Sequence, residues 1–313
     1  MPLDSKLQAM CDIGRYLKQA NYHFVSVTPQ THHYYQQRHG DRLAADLRDV
    51  FGWCLPFEQS LVDPHLWELM QRADIIETRG SAMCSKVRWA SLGDTLFVHS
   101  AYPTDAQDAV FFGPDTYRFV RAMDAHLRAS HDDIRTVVDI GCGSGAGATY
   151  LASQLPEAAI TAVDINPRAL EYTEVNLQVA KATNVTATHS NLLDAVEGQF
   201  DLIVANPPYM EDPEGRAYRD GGNHKGAELS LSIVETALER LAPGGTLLLY
   251  TGVAMVNGND MFFAELQRRV QDSHCRWQYQ EMDPDVFGEE LLKDDYKDVE
   301  RIAAVELTLR KLG

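Results

Sequence analysis

The chain reads as an α/β protein built on a doubly wound, Rossmann-like sheet, preceded by a mainly helical N-terminal domain that ends in a β-hairpin. Three observations carry that reading. From Arg135 onward, short apolar runs alternate with stretches of helical periodicity. A glycine-rich loop, GCGSGAGA, joins the first of those runs to a helix. Near the C-terminus the alternation gives way to two adjacent strands, which suits an antiparallel edge on an otherwise parallel sheet.

The elements follow in order. Thr28-Pro29 and Asp63-Pro64 each pair an N-cap residue with proline at the first helical position, and apolar residues at helical spacing follow both. KVRWASLGDTLFVHS reads as two short strands around Leu92-Gly93-Asp94. Helices followed by such a hairpin resemble a winged-helix module, yet the preceding DPHLWELMQRADIIETRG has no basic excess. A docking or structural role is therefore expected for residues 1–110. In the second domain, residues 111–313, strands are expected at 136–139, 159–163, 185–189, 202–205, 245–250, 276–282 and 302–310. Helices are expected from the glycine loop to 155 and over 167–181, 229–241 and 261–270.

Composition narrows the function classes. A chain of 313 residues with 45% hydrophobic content can bury an ordinary core. It offers no apolar stretch of signal-peptide or membrane-spanning length, which points to the cytoplasm. Cys11, Cys54, Cys84, Cys142 and Cys275 are scattered without a C-x-x-C pair, so reduced thiols and no metal site are expected. The His32-His33 doublet reads as a solvated helix face. The net charge is −17, of which about −14 falls in residues 111–313, and such a balance opposes attraction to phosphate backbones or anionic membranes. Lys86 and Arg88 of the hairpin are the nearest approach to a basic patch.

The glycine loop has a specific context. Gly141, Gly143 and Gly145 follow a strand and open a helix, and Asp164 stands at the end of the next strand, where a carboxylate can accept both hydroxyls of a ribose. Dinucleotide enzymes share this arrangement. Asp139, two residues before the first glycine, argues against a pyrophosphate and suits a ligand with an ammonium group and a sulfonium cation, such as S-adenosylmethionine. A second motif ends the strand FDLIVA: Asn206-Pro207-Pro208-Tyr209. Proline lacks an amide hydrogen and fixes its own backbone, so Pro207 and Pro208 stop the strand and hold Asn206 and Tyr209 on a rigid bracket.

VDIGCGSGAGA, AVDINPRAL and FDLIVANPPYM together resemble the class I S-adenosylmethionine-dependent methyltransferases, in the branch that carries Asn-Pro-Pro-Tyr and modifies planar nitrogens. The resemblance implies a seven-stranded sheet of order 3-2-1-4-5-7-6 with the last strand antiparallel. It implies that Asp139, Gly141 and Gly143 surround the methionine part, that Asp164 holds the ribose and that Asn191 and Leu192, after the third strand, hold the adenine. Cys142, Gly145, Ile165 and Asn206 complete the motif positions. FFGPDTYRFV, with Phe112 and Thr116, is similar to the segment before the first strand in release-factor glutamine methyltransferases and adds both residues to the expected cofactor site. The implied catalytic set is Asn206, Pro207, Pro208 and Tyr209, with no metal. The Asn206 oxygen and the Pro207 carbonyl would accept the two N–H groups of an amide or exocyclic amine, and Tyr209 would offer a ring face for stacking with no need of its hydroxyl. The favoured acceptor is a protein glutamine amide. The alternatives are a ribosomal RNA or other nucleic-acid base, a small molecule, or a cofactor-binding module without turnover. Residues 211–226, rich in glycine, are expected to form a loop that closes over the acceptor through Tyr218 and Arg219.

Overall fold

The computed structural model describes residues 3–130, 132–212, 216 and 218–313. The N-terminal part comprises helices α1 (Ser5–Gln19), α2 (Pro29–His39), α3 (Leu47–Phe51) and α4 (Pro64–Arg72), then strands β1 (Ile76–Arg79), β2 (Ala82–Ser85), β3 (Val87–Leu92) and β4 (Thr95–Ser100). Thr28 and Asp63 cap α2 and α4 as expected, each accepting from the backbone N–H three residues on. The β3–β4 hairpin is present, and a second hairpin, β1–β2, precedes it. Its first strand, β1, is mostly exposed and polar and its second is only four residues long, so no apolar alternation announced them.

Helix α5 (Pro114–Ala129) leads into the main sheet. That sheet is built from β5 (Thr136–Ile140), β6 (Ala159–Asp164), β7 (Val185–His189), β8 (Phe200–Ala205) and β9 (Leu241–Val256), which pair in parallel. The short β10 (Asn259–Asp260), β11 (Cys275–Asp283) and β12 (Arg301–Lys311) follow. The order β7-β6-β5-β8-β9-β12-β11, with β12 antiparallel to both neighbours, is the expected 3-2-1-4-5-7-6 arrangement. Helices α6 (Ala146–Gln154), α7 (Pro167–Ala180), α8 (Asn223–Gly226), α9 (Glu228–Arg240) and α10 (Met261–Val270) complete the crossovers. One observed strand is much longer than expected: β9 begins at Leu241 and runs on to Val256, because β12 pairs with it from Thr246 to Met255, well past the end of β8.

The N-terminal part shares its core with the sheet domain. Ile13, Leu17, Trp89 and Val98 pack in one cluster with Ala169, Tyr172, Val175 and Val179 of α7. Asn176, fully buried on α7, fixes that contact: its side-chain oxygen accepts from the Val98 N–H at 2.8 Å and its amide donates to the Val98 carbonyl at 3.1 Å.

Two expectations about the N-terminal part are corrected. His32 is buried, not solvated, and stacks on Tyr102 with ring centroids 4.2 Å apart; burial beside Arg88 pushes its imidazole down to about 3. Arg88 is no surface charge either, since it lies in the interior bonded to His32 at 3.0 Å and to Ser26 at 3.2 Å, while Lys86 pairs with Asp74. The apolar strand that carries Arg88 takes it inward, so the hairpin has no basic patch. Among the described residues no helix is long and apolar enough to cross a membrane, and no cluster of ligating side chains could hold a metal.

Candidate active site

The carboxyl ends of β5, β6, β7 and β8 open onto a cavity of about 370 Å³, a size typical of small-ligand sites. This is where an open α/β sheet places its ligand, at the point where strand order reverses between β5 and β8.

The glycine loop forms one wall. Gly141 and Gly143 adopt φ of +70° and +56°, a region that L side chains rarely occupy, and a Cβ at either would meet no protein atom within 4 Å. The loop is therefore a cradle with open space above it. Its carbonyls are held from α7: Thr173 donates to the Gly143 carbonyl at 3.0 Å and Asn176 to the Ser144 carbonyl at 2.8 Å. Asn176 thus joins the N-terminal hairpin to the cradle. The sequence reading missed this pair, although two polar residues three apart on an apolar helix face are a readable signal.

Two carboxylates flank the cradle. Asp139 is buried at the end of β5, accepts from the Ala148 N–H of α6 at 2.8 Å, and burial pushes its carboxyl up to about 7. Asp164 accepts from the Gly143 N–H at 2.9 Å and the Asn166 N–H at 2.8 Å, and burial raises it despite those bonds. Ile165 is an apolar side chain left 53% exposed, and it lines the cavity together with Asn191 and Leu192. Cys142 and Thr116 line it too. Gly145 instead caps α6 at φ +71°, where a Cβ would press on Thr173. Phe112 lies outside the wall: it is fully buried between Phe97, His99 and Tyr117, and its neighbour Phe111 is the ring that reaches the cavity.

The bracket adjoins the cradle, since β8 and β5 are neighbours. Asn206, Pro207, Pro208 and Tyr209 all line the cavity. Among the described residues neither the Asn206 side chain nor the Pro207 carbonyl has a hydrogen-bond partner. Tyr209 is different. Its hydroxyl, given no use in the sequence reading, donates to Asp115 of α5 at 2.5 Å. Phe287, from the segment between β11 and β12, meets the Tyr209 ring edge-on at 6.0 Å.

Beyond the bracket the chain folds back on itself. The Met210 N–H donates to the Arg219 carbonyl at 3.1 Å and the Gly221 N–H to the Met210 carbonyl at 2.7 Å. Tyr218 and Arg219 line the cavity. Both are anchored: Tyr218 donates to the Thr104 carbonyl at 2.9 Å and stacks with Phe111, and Arg219 pairs with Asp212 and Glu290. Residues 213–215 and 217 of the expected loop lie outside the described residues.

Comparison with known proteins bears on this geometry. Residues 118–261 match the family model of the methyltransferase small domain. The release factor glutamine methyltransferase of Koribacter versatilis is 33% identical over 158 residues, 46% of this chain and 55% of that protein. The one from Geobacter sulfurreducens is 37% identical over 143 residues, 42% of this chain and 49% of that protein. The ribosomal protein uL3 glutamine methyltransferase of Neisseria gonorrhoeae is 31% identical over 130 residues, 38% of this chain and 44% of that protein. The chain spans about half the length of the curated relatives it matches.

Proposed function

We propose that the chain, whose residues 118–261 carry a methyltransferase small domain, is an S-adenosylmethionine-dependent N-methyltransferase acting on a planar nitrogen, first among them the glutamine side-chain amide of a protein. The observation that carries this reading is the pair of bracket oxygens, on Asn206 and Pro207, that have no hydrogen-bond partner among the described residues and stand beside a glycine cradle flanked by two carboxylates.

The residues present fit the cofactor. Gly141 and Gly143 leave the space it needs, Asp139 suits its ammonium group, Asp164 keeps lone pairs for its ribose, and Ile165, Asn191 and Leu192 form a wall for its adenine. When bound, S-adenosylmethionine supplies a methyl group made electrophilic by a sulfonium centre. The protein's task is aim. An amide nitrogen is a poor nucleophile because its lone pair is delocalised, and the Asn206 oxygen and Pro207 carbonyl, accepting its two N–H groups, turn that lone pair toward the methyl group and stabilise positive charge as it develops. The proton to be lost rests against one of these oxygens until it leaves.

Two facts favour a protein acceptor over RNA. The relatives compared above are glutamine methyltransferases of a release factor and of a ribosomal protein. The charge of about −14 on residues 111–313 is ill suited to many phosphate contacts. Incubation with labelled S-adenosylmethionine and a cell extract, split between protease and ribonuclease, tests the reading. Label removed by protease and retained after ribonuclease is expected; loss on ribonuclease treatment would move the acceptor to RNA.

A further inference from the structure

We infer that Asp115 is a positioning residue for methyl transfer: from the first turn of α5 its carboxylate holds the Tyr209 ring in place and thereby sets the acceptor side of the bracket. The inference rests on the N-methyl transfer proposed above and adds to it a residue and a mechanism of control.

Asp115 is 5% exposed and sits one residue after Pro114, which opens α5. A carboxylate at a helix N-terminus gains from the helix dipole, but burial on this scale requires partners. It has three. One oxygen accepts from the Tyr209 hydroxyl at 2.5 Å, the other accepts from the Tyr250 hydroxyl at 2.7 Å, and Arg118 lies 3.3 Å away while reaching Asp283 at 2.7 Å. Asp115 therefore ties α5 to both the bracket and strand β9.

The rest of the Tyr209 environment is shaped to the same end. Its ring lies against Gly252 of β9, where any Cβ would collide with it, and Phe287 closes one edge. A ring held by a glycine floor and an aromatic edge can still tilt or slide across that floor; the hydroxyl anchor at its far end restrains both motions. Because Pro208 and Tyr209 are consecutive, the position of the ring bears on the attitude of the whole bracket. Helix α5 also reaches the cofactor side of the cavity through Thr116 and Phe119, so one short segment touches both halves of the site.

A merely structural role is the competing account, and Tyr250 distinguishes the two. It shares the same carboxylate but is fully buried in the sheet and does not line the active-site cavity, so losing its hydroxyl removes a tie between α5 and β9 without touching the bracket. The test compares Asp115→Asn, Tyr209→Phe, Tyr250→Phe and the double variant Asp115→Asn/Tyr209→Phe. The rate is read as transfer of label from saturating S-adenosylmethionine into the macromolecules of a cell extract, which assumes no acceptor class. Asp115→Asn and Tyr209→Phe should each lower it about tenfold, with cofactor affinity by calorimetry within about twofold of wild type, and the double variant should be no slower than either single one. Tyr250→Phe should lower Tm and change the rate by less than about twofold. Losses that multiply in the double variant, or a loss of cofactor affinity in Asp115→Asn, would overturn the inference.

A second readout needs no turnover. In NMR spectra of ring-labelled tyrosine recorded with S-adenosylmethionine, the Tyr209 signal should broaden or move in Asp115→Asn and stay in place in Tyr250→Phe. An unmoved Tyr209 signal in Asp115→Asn would contradict the inference whatever the rates. Failure of the wild-type protein to label any extract would count against the methyl-transfer reading alone, because the spectra still decide whether Asp115 holds the ring.

Discussion

At the end of the cavity proposed for the cofactor, the cradle and both carboxylates come from one βαβ unit, residues 139–166, whereas the end proposed for the acceptor gathers Phe111, Tyr209, Tyr218, Arg219 and Phe287 from segments scattered over most of the chain. The first end is made of backbone: glycines at positive φ and carboxylates that accept main-chain N–H groups. The second is made of side chains held by residues distant in the chain, as in the Tyr209 bond to the Asp115 carboxylate and the Tyr218 bond to the Thr104 carbonyl. Local backbone geometry builds the end proposed for the cofactor, and side chains drawn from distant segments build the end proposed for the acceptor.

That contrast can be broken one end at a time. Asp164→Ala should weaken S-adenosylmethionine binding by about ten- to a hundredfold, because two charge-assisted hydrogen bonds to the ribose are lost, each worth on the order of 1.5 to 3 kcal/mol before water compensates. Calorimetry reads it, and unchanged affinity would remove Asp164 from the site.

A smaller effect comes from Asp139. Its carboxyl lies at about 7 in the folded protein against an ordinary 3.8, so the folded state binds more protons than the unfolded state between those values. Its contribution to stability is thus fully present below about pH 4 and is lost as pH rises through about 7. Without cofactor, Tm should fall across that window, and Asp139→Asn should flatten the fall. Cofactor affinity should move the other way, rising several-fold from about pH 6 to about pH 8 as Asp139 ionises opposite the ammonium group. A cofactor affinity that does not change with pH would separate Asp139 from that group. The smallest expected effect is that of salt: methyl transfer should change by less than about twofold between about 50 and 200 mM, since a slope of many phosphate contacts does not suit so acidic a domain. A steep decline would return nucleic acid to the acceptor end.

The same contrast decides what could be read from the sequence. The sheet and the cradle were legible because their signals are short: apolar runs of strand length, glycines between a strand and a helix, and acids at fixed spacing. Asn206 to Tyr209 were legible for the same reason. The partner of Tyr209 was not, since Asp115 stands far upstream and becomes a partner only when α5 packs beside β9. His32 and Arg88 were misread together: each looks solvated in its own segment, and each is buried because α2 and β3 bring them into contact. The β1–β2 hairpin escaped because its strands are only four residues long and β1 is mostly polar, leaving Gly80 at φ +64° in its turn as the local sign.

If the bracket aims the acceptor nitrogen while the cradle holds the cofactor, the two functions separate at Asn206. The most direct test measures both in one variant. Asn206→Ala should bind S-adenosylmethionine with affinity within about twofold of wild type and turn over about 10²- to 10³-fold more slowly, the loss that follows removal of one preoriented hydrogen-bonding group from a transition state. Asn206→Asp, which keeps an oxygen in place, should retain more activity than the alanine form. If Asn206→Ala instead lowered Tm and left the turnover of the folded enzyme intact, Asn206 would be a turn cap before Pro207 and the bracket would have no part in catalysis.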